Sequence, residues 1–279
     1  MKKHFFTTAI ITILAGTLAS AQVNPDIKSG AATIAIQPFM FSVSTLTPGA
    51  PQWSVNYAGS YGERASGAFG YDGLDQQVSV KGYLGNRFTF YANADLGFAN
   101  AGGVTSAQQA EVIRDFVGGK QAAGARFGVG LGANRDFSNT AAIFSRITAA
   151  YDVANWRLGG NMKFEKAFSK SRDGIDLITS IGFQHRIAKS FFAGIEVVGQ
   201  DLEGFWETDE AEGGAKLLIG PSINIAPERS RLSFSLCGGP VFYATHSSVL
   251  ASAAIRDVGN LASQNGYTIK AMIAFNLQR

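Results

Sequence analysis

Charged side chains recur at alternate positions within apolar stretches. The set is Lys81, Arg87, Asp95, Arg126, Arg146, Arg157, Lys163, Arg186, Glu196, Lys216, Arg231 and Lys270. In an extended chain this spacing puts ions on one face and greasy side chains on the other. The chemistry available to such a face is electrostatic: it concentrates solutes of one sign and repels the other. Adding Glu165 and Asp176, the polar faces carry ten bases (Lys81, Arg87, Arg126, Arg146, Arg157, Lys163, Arg186, Lys216, Arg231, Lys270) against four acids. A nucleophilic constellation is also present. His246 stands two residues before Ser248, with Asn260 further on, and an imidazole beside a hydroxyl can serve as its general base. The pair falls in a polar stretch without the strand context such a motif needs, so it reads as solvated surface and no enzyme is expected.

The other reactive types point to packing. Cys237 precedes Gly238-Gly239 with nothing nearby to lower its pKa, and reads as a small residue filling the polar face. One Cys excludes an intramolecular disulfide and a Cys-based zinc site. The three histidines, His4, His185 and His246, form no His-rich cluster, so neither metal nor cofactor is expected. His185 has the parity of the apolar face near a strand end. Gly128-Val129-Gly130-Leu131-Gly132 lacks a phosphate-binding spacing. Its glycines share one strand face and leave room for a neighbour or a plug.

The elements that must position these residues are strands. From Phe88 to Phe98 the apolar face is Phe88, Phe90, Ala92, Ala94, Leu96 and Phe98, opposite Thr89, Tyr91, Asn93 and Asp95. Trp156, Leu158, Met162 and Phe164 oppose Arg157, Asn161, Lys163 and Glu165. The alternation returns over 175–186, 215–225, 231–243 and 267–277, with weaker versions over 53–60, 78–84, 126–133 and 143–151. Residues 33–44 form a poorly patterned first strand, and eleven to thirteen strands are expected depending on how 65–71 is treated. Two stretches break the period. Ser106 and Gln109 form a capping box opening 106–117, which ends at Gly118-Gly119; 248–258 is the second. Both read as short loop helices, one or two in all. Connections alternate between short turns and longer polar loops. The turns at Gly85-Asn86 and Ala226-Pro227 fall at one end only if one strand between them is miscounted.

The chain has 279 residues, 46% hydrophobic and only 16% charged. That is too little charge for a nucleic-acid-binding protein or a disordered tail. Residues 1–21 read as a secretory signal peptide: Lys2 and Lys3, an apolar run from Phe5 to Leu18, then Ala19-Ser20-Ala21. The domain is then 22–279, close to neutral overall.

Strand length and charge decide what covers the apolar face. The segments run to ten or more residues, against about five or six in soluble sheets and about nine to eleven in tilted membrane strands. Ionisable residues in mid-strand would be costly in a sandwich core. Aromatics (Trp53, Tyr57, Tyr151, Trp156, Phe191, Tyr267) recur near segment ends, as an interfacial girdle requires. An all-β, antiparallel, up-and-down transmembrane barrel of about twelve strands follows, with ten to fourteen accommodated by the length.

The leader, the amphipathic strands and the closing segment from Tyr267 to Phe275 together resemble bacterial outer-membrane β-barrel proteins of the small porin and transporter type. That closing segment is similar to the terminal strand by which such proteins are recognised for assembly, although Asn276-Leu277-Gln278-Arg279 follow the aromatic residue. The resemblance implies an outer-membrane location, lipid around the barrel, an assembly machinery as partner, and passive passage of small solutes. The basic face adds an expected preference for anions. The alternatives are a plugged structural or adhesive barrel, and a lipid hydrolase, because His246-x-Ser248…Asn260 looks like the arrangement of outer-membrane phospholipases.

Overall fold

Alternation of this kind leaves each strand with two hydrogen-bonding edges, and no edge can stay open in hydrocarbon. The computed structural model, which describes residues 37–48, 52–100, 102–121, 123–169, 175–205, 215–227, 230–244 and 265–277, satisfies this by closure. Twelve strands run in chain order: β1 Trp53–Glu63, β2 Gly73–Gly85, β3 Phe88–Ala99, β4 Val104–Val117, β5 Gly124–Arg135, β6 Ala141–Asp152, β7 Trp156–Ala167, β8 Asp176–Ala188, β9 Phe191–Gln200, β10 Ala215–Ile225, β11 Leu232–Ala244 and β12 Gly266–Asn276. Each pairs antiparallel with its neighbours, and β12 returns to β1 from Ser54↔Asn276 to Glu63↔Tyr267, so the sheet is a closed barrel.

The outside is apolar. Leu74, Val78, Leu96, Leu131, Ile143, Ile181, Ile269 and Ile273 are all exposed there, each about half or more uncovered. Only hydrocarbon solvates so continuous an apolar band without cost. The two ends differ. At one, here the turn end, connections are short: Asn86 and Arg87 both take positive φ (49° and 66°), the backbone of a tight hairpin turn. At the other, the loop end, β1 and β2 are joined through a single 3-10 turn at Gly67–Phe69, and a second such turn, Leu202–Phe205, follows β9.

Residues 106–117 are not a helix. They belong to β4, which pairs with β3 from Phe88↔Arg114 to Phe98↔Val104 and with β5 from Gln108↔Arg135 to Val117↔Phe127. A capping box stabilises a helix start by about 1 kcal/mol, whereas a helix here would leave both flanking edges unpaired in the membrane. Recovering this strand puts the turns after β2 and after β10 at one end. The second helix expected, over 248–258, lies outside the described residues. So does the expected leader.

The poorly patterned 33–44 stretch is not a strand either, where it is described. Residues 37–48 run as an irregular strap inside the barrel, with Phe39 and Leu46 each 2% exposed. Closure of β1 on β12 leaves no edge for it to join. Prolines at 38 and 48 and a run of hydroxyls (Ser42, Ser44, Thr45, Thr47) suit it to the wet interior instead.

Candidate functional site

The strap enters beside the turn end, rises to mid-barrel at Met40–Ser42 and descends again. Its main chain is satisfied by side chains of the wall. Glu196 on β9 accepts the consecutive N–H groups of Met40 (2.9 Å) and Phe41 (2.9 Å). Asn161 on β7 accepts the Val43 N–H (2.6 Å) and donates to the carbonyl of the same residue (2.9 Å). Thr89 on β3 accepts from the Leu46 N–H (2.8 Å). Arg126 on β5 donates to the Thr45 carbonyl (2.7 Å), Gln184 on β8 to Pro38 (2.9 Å) and Ser235 on β11 to Gln37 (3.1 Å). Lys81 reaches the side chains of Gln37 (2.9 Å) and Ser44 (2.8 Å). A segment without secondary structure is tolerable inside because these partners replace water.

One strap side chain has its own slot. A Cβ on Gly159 would lie 2.9 Å from the Phe39 ring, and one on Gly182 would collide with it, so the ring occupies the space that two glycines leave. Met40 packs with Ala58, Cys237 and Met272. Cys237 is a free, buried thiol in that apolar cluster. The glycines at 128, 130 and 132 face inward and make room for neighbouring side chains, among them Thr148, Ile113 and Phe144.

Most of the charged residues singled out from the sequence lie buried inside: Lys81 (0% exposed), Asp95, Arg126, Arg146, Arg157, Lys163, Glu196 and Lys216. They are held in polar networks. Arg146 Nε pairs with Glu111 Oε2 at 2.7 Å and Lys163 Nζ with Glu165 Oε2 at 2.5 Å, while Arg126 pairs with Asp152. Arg157 donates to Asn224 (3.1 Å) and lies 3.8 Å from the centre of the Phe192 ring, with Arg186 over the same ring at 5.0 Å. Lys216 donates to Ser66 (3.3 Å), and Asp95 accepts from Asn93 (2.8 Å). Lys270 and Arg186 are half-buried on the inward parity of β12 and β8.

Two residues are placed differently. Arg87 sits in the β2–β3 turn and donates to the Phe116 carbonyl (3.2 Å), and Arg231 is exposed just before β11. Meanwhile the inner face gains Asp75, Glu111, Asp115 and Asp152, so that acids match bases among the described residues. The ten-to-four excess is thereby corrected. Glu111 and Asp115 were hidden by the helical reading of β4, Asp152 by its assignment to a turn, and Asp75 by the weak pattern at the start of β2. The charges are unevenly spread along the axis. The turn half holds Lys81, Arg126, Arg157 and Arg186 with Asp115 and Asp152, whereas the loop half holds Lys163, Lys216 and Lys270 with Asp75, Asp95, Glu165 and Asp176.

Above the strap, in the loop half, a cavity of about 310 Å³ remains. Its floor is Met40–Val43 and its walls include Tyr91, Asp95, Lys163, Lys216 and Lys270. The β1–β2 loop folds into its mouth. Phe69 is fully buried there against Val198, Leu218 and Val241. Beside this mouth, outside the strands, Asp201 accepts the Leu177 N–H at 3.1 Å. Burial, with Asp176 and Glu203 nearby, pushes its carboxyl up to about 6. His185, the single histidine among the described residues, is exposed on the outer face of β8. His246, Ser248 and Asn260 lie outside the described residues.

A closed twelve-stranded antiparallel barrel with a greasy exterior and a polar, ion-paired interior is the architecture of small outer-membrane porin-type proteins. Among solved structures, the chain is similar to the KdgM porin in complex with disordered oligogalacturonate, at 8% identity over 81% of this chain and 99% of that one, with a TM-score of 0.52. It is also similar to the NanC porin, at 8% identity over 80% of this chain and all of that one, with a TM-score of 0.57. At such identity the likeness is one of fold. No family model matches the chain, and neither does any curated protein.

Proposed function

We propose that the chain is an outer-membrane channel for small polar solutes that rests closed, with residues 37–48 as a removable stopper. The observation that carries this reading is how the interior is filled. A barrel made solid for strength would be packed with its own wall side chains. Here the central space is occupied by a separate strap held by polar contacts, with a solute-sized cavity above it. Hydrogen bonds of this kind exchange with water at a net cost of about 1 kcal/mol each, so withdrawal of the strap exchanges one set of partners for another. The likeness in fold to porins agrees with this reading.

Cleavage after Ala21 would put the strap near a free amino terminus in sequence, and lipid and the outer-membrane assembly machinery would be partners of the processed chain. The loop end faces out and the turn end faces the periplasm. Interior charge is balanced overall, so any anion preference is modest. It comes from the turn half, where Lys81 and Arg126 lose strap partners when the strap leaves. The second reading, a permanently plugged structural barrel, is favoured by the number of wall residues that hold the strap.

Planar-bilayer recording separates the two. Wild type should be mostly silent, and Phe39→Asp, which forces a carboxylate into the glycine slot, should give frequent openings with a slight anion preference. A folded Phe39→Asp chain that carries no current would remove the channel.

A further inference from the structure

We infer that the lumen is a binding track for a bent peptide segment, and that the strap occupies in cis a place that peptides of other sequence take in trans. This rests on the channel reading above and names a solute class for it. The wall addresses the strap chiefly through its main chain. Six residues on six different strands, Thr89, Arg126, Asn161, Gln184, Glu196 and Ser235, each hold a backbone N–H or carbonyl. A main chain is common to all peptides, so these contacts do not depend on the strap's own sequence.

Two of the contacts fit the spacing of groups along a peptide main chain. Glu196 takes the N–H groups of two successive residues on one carboxylate. Asn161 forms a two-point contact with the N–H and carbonyl of a single residue, Val43. The bulkiest side-chain contact is the slot between Gly159 and Gly182 that takes the Phe39 ring, beside smaller ones of Lys81 with Gln37 and Ser44 and of the Ala58, Cys237 and Met272 cluster with Met40. The track therefore accepts a peptide segment that bends at mid-barrel and carries one aromatic residue. In the resting chain the strap competes for the track at the high effective concentration of a tethered ligand, roughly millimolar, so free peptide gains access only once the strap is displaced.

The test uses the full-length chain with Phe39→Asp in planar bilayers, with a synthetic peptide of residues 37–48 added from the turn side. The peptide should block the current, and the same peptide with its phenylalanine replaced by alanine should need at least tenfold more. A peptide keeping the phenylalanine but with its other side chains shuffled should block nearly as well as the first. Gly182→Leu, which evicts Phe39 from the wall side and fills the slot, should open the channel and leave it insensitive to all three. An open Phe39→Asp channel indifferent to peptide would overturn the track and leave the channel standing. Equal block by a neutral oligosaccharide would overturn it too. If the folded variant, checked by heat-modifiable electrophoretic mobility, carries no current, the channel falls. The track is then judged by fluorescence anisotropy of labelled peptide, where binding that depends on the aromatic residue supports it and absence of binding overturns it.

Discussion

The two halves of the barrel interior are built from the same alternating strands, yet only one is filled. In the turn half, wall side chains turn their donors and acceptors onto the strap, and glycines at 159 and 182 clear space for its ring. In the loop half, charged side chains pair with each other or face a cavity of about 310 Å³. The difference teaches that an inward polar face has no fixed role. Amides, hydroxyls, one carboxylate near mid-barrel and two cations, Lys81 and Arg126, placed where the strap can reach them, make a seat. Lysines and carboxylates of both signs spread around a ring make a solvated vestibule.

The sharpest way to break this contrast is at Glu196, which is 1% exposed and accepts from Met40, Phe41 and, at 2.6 Å, Ser222. Glu196→Leu leaves two strap N–H groups unpaired. It should weaken the seat by about 1–3 kcal/mol for each N–H left unpaired, read as a rise of about two orders of magnitude in open probability and as rapid proteolysis of the strap. Lys216→Ala in the loop half should change neither. Asn161→Leu removes one two-point contact and should cost about 1–3 kcal/mol, with openings intermediate between wild type and Glu196→Leu.

A smaller effect separates seat from vestibule by selectivity. In the Phe39→Asp background, Lys163→Glu should move the reversal potential toward cations without changing how often the channel opens, whereas Arg126→Gln should do both, because Arg126 also holds the Thr45 carbonyl. Equal effects on gating from both would erase the division.

The smallest effect concerns the loop-end rim. The Asp201 carboxyl titrates near 6, above its ordinary value of 3.8, because burial penalises its charged form. A group raised on folding contributes stability that is fully present below the unfolded value and is lost as pH rises through the folded one. Hydrogen exchange of the Leu177 amide should thus be slower, after correction for intrinsic rates, at pH 5 than at pH 7.5. Asp201→Asn should remove that difference.

Much of the barrel was legible as alternation. The inward parity of Asn161, Gln184, Ser222, Asn224 and Ser235 follows from counting by two along single segments, because a closed, lipid-facing sheet enforces that period on each strand independently. The segments that failed did so where a local signal competed with a distant one. Residues 106–117 carry a genuine helix-start pattern, overruled by two unpaired neighbouring edges that lie far off in sequence. Asp75, Glu111, Asp115 and Asp152 had no visible pairing with the inner face until the strands were in register, and the balance of interior charge changed with them.

Local side-chain alternation, together with the chain's length, therefore determined the strands, their faces and the class of fold, because each depends on a residue and its near neighbours. What fills the interior was decided by the tertiary structure alone. Residues 37–48 have no period to read, and their place depends on β1 meeting β12, which denies them an edge, and on side chains from six strands converging on one stretch of backbone.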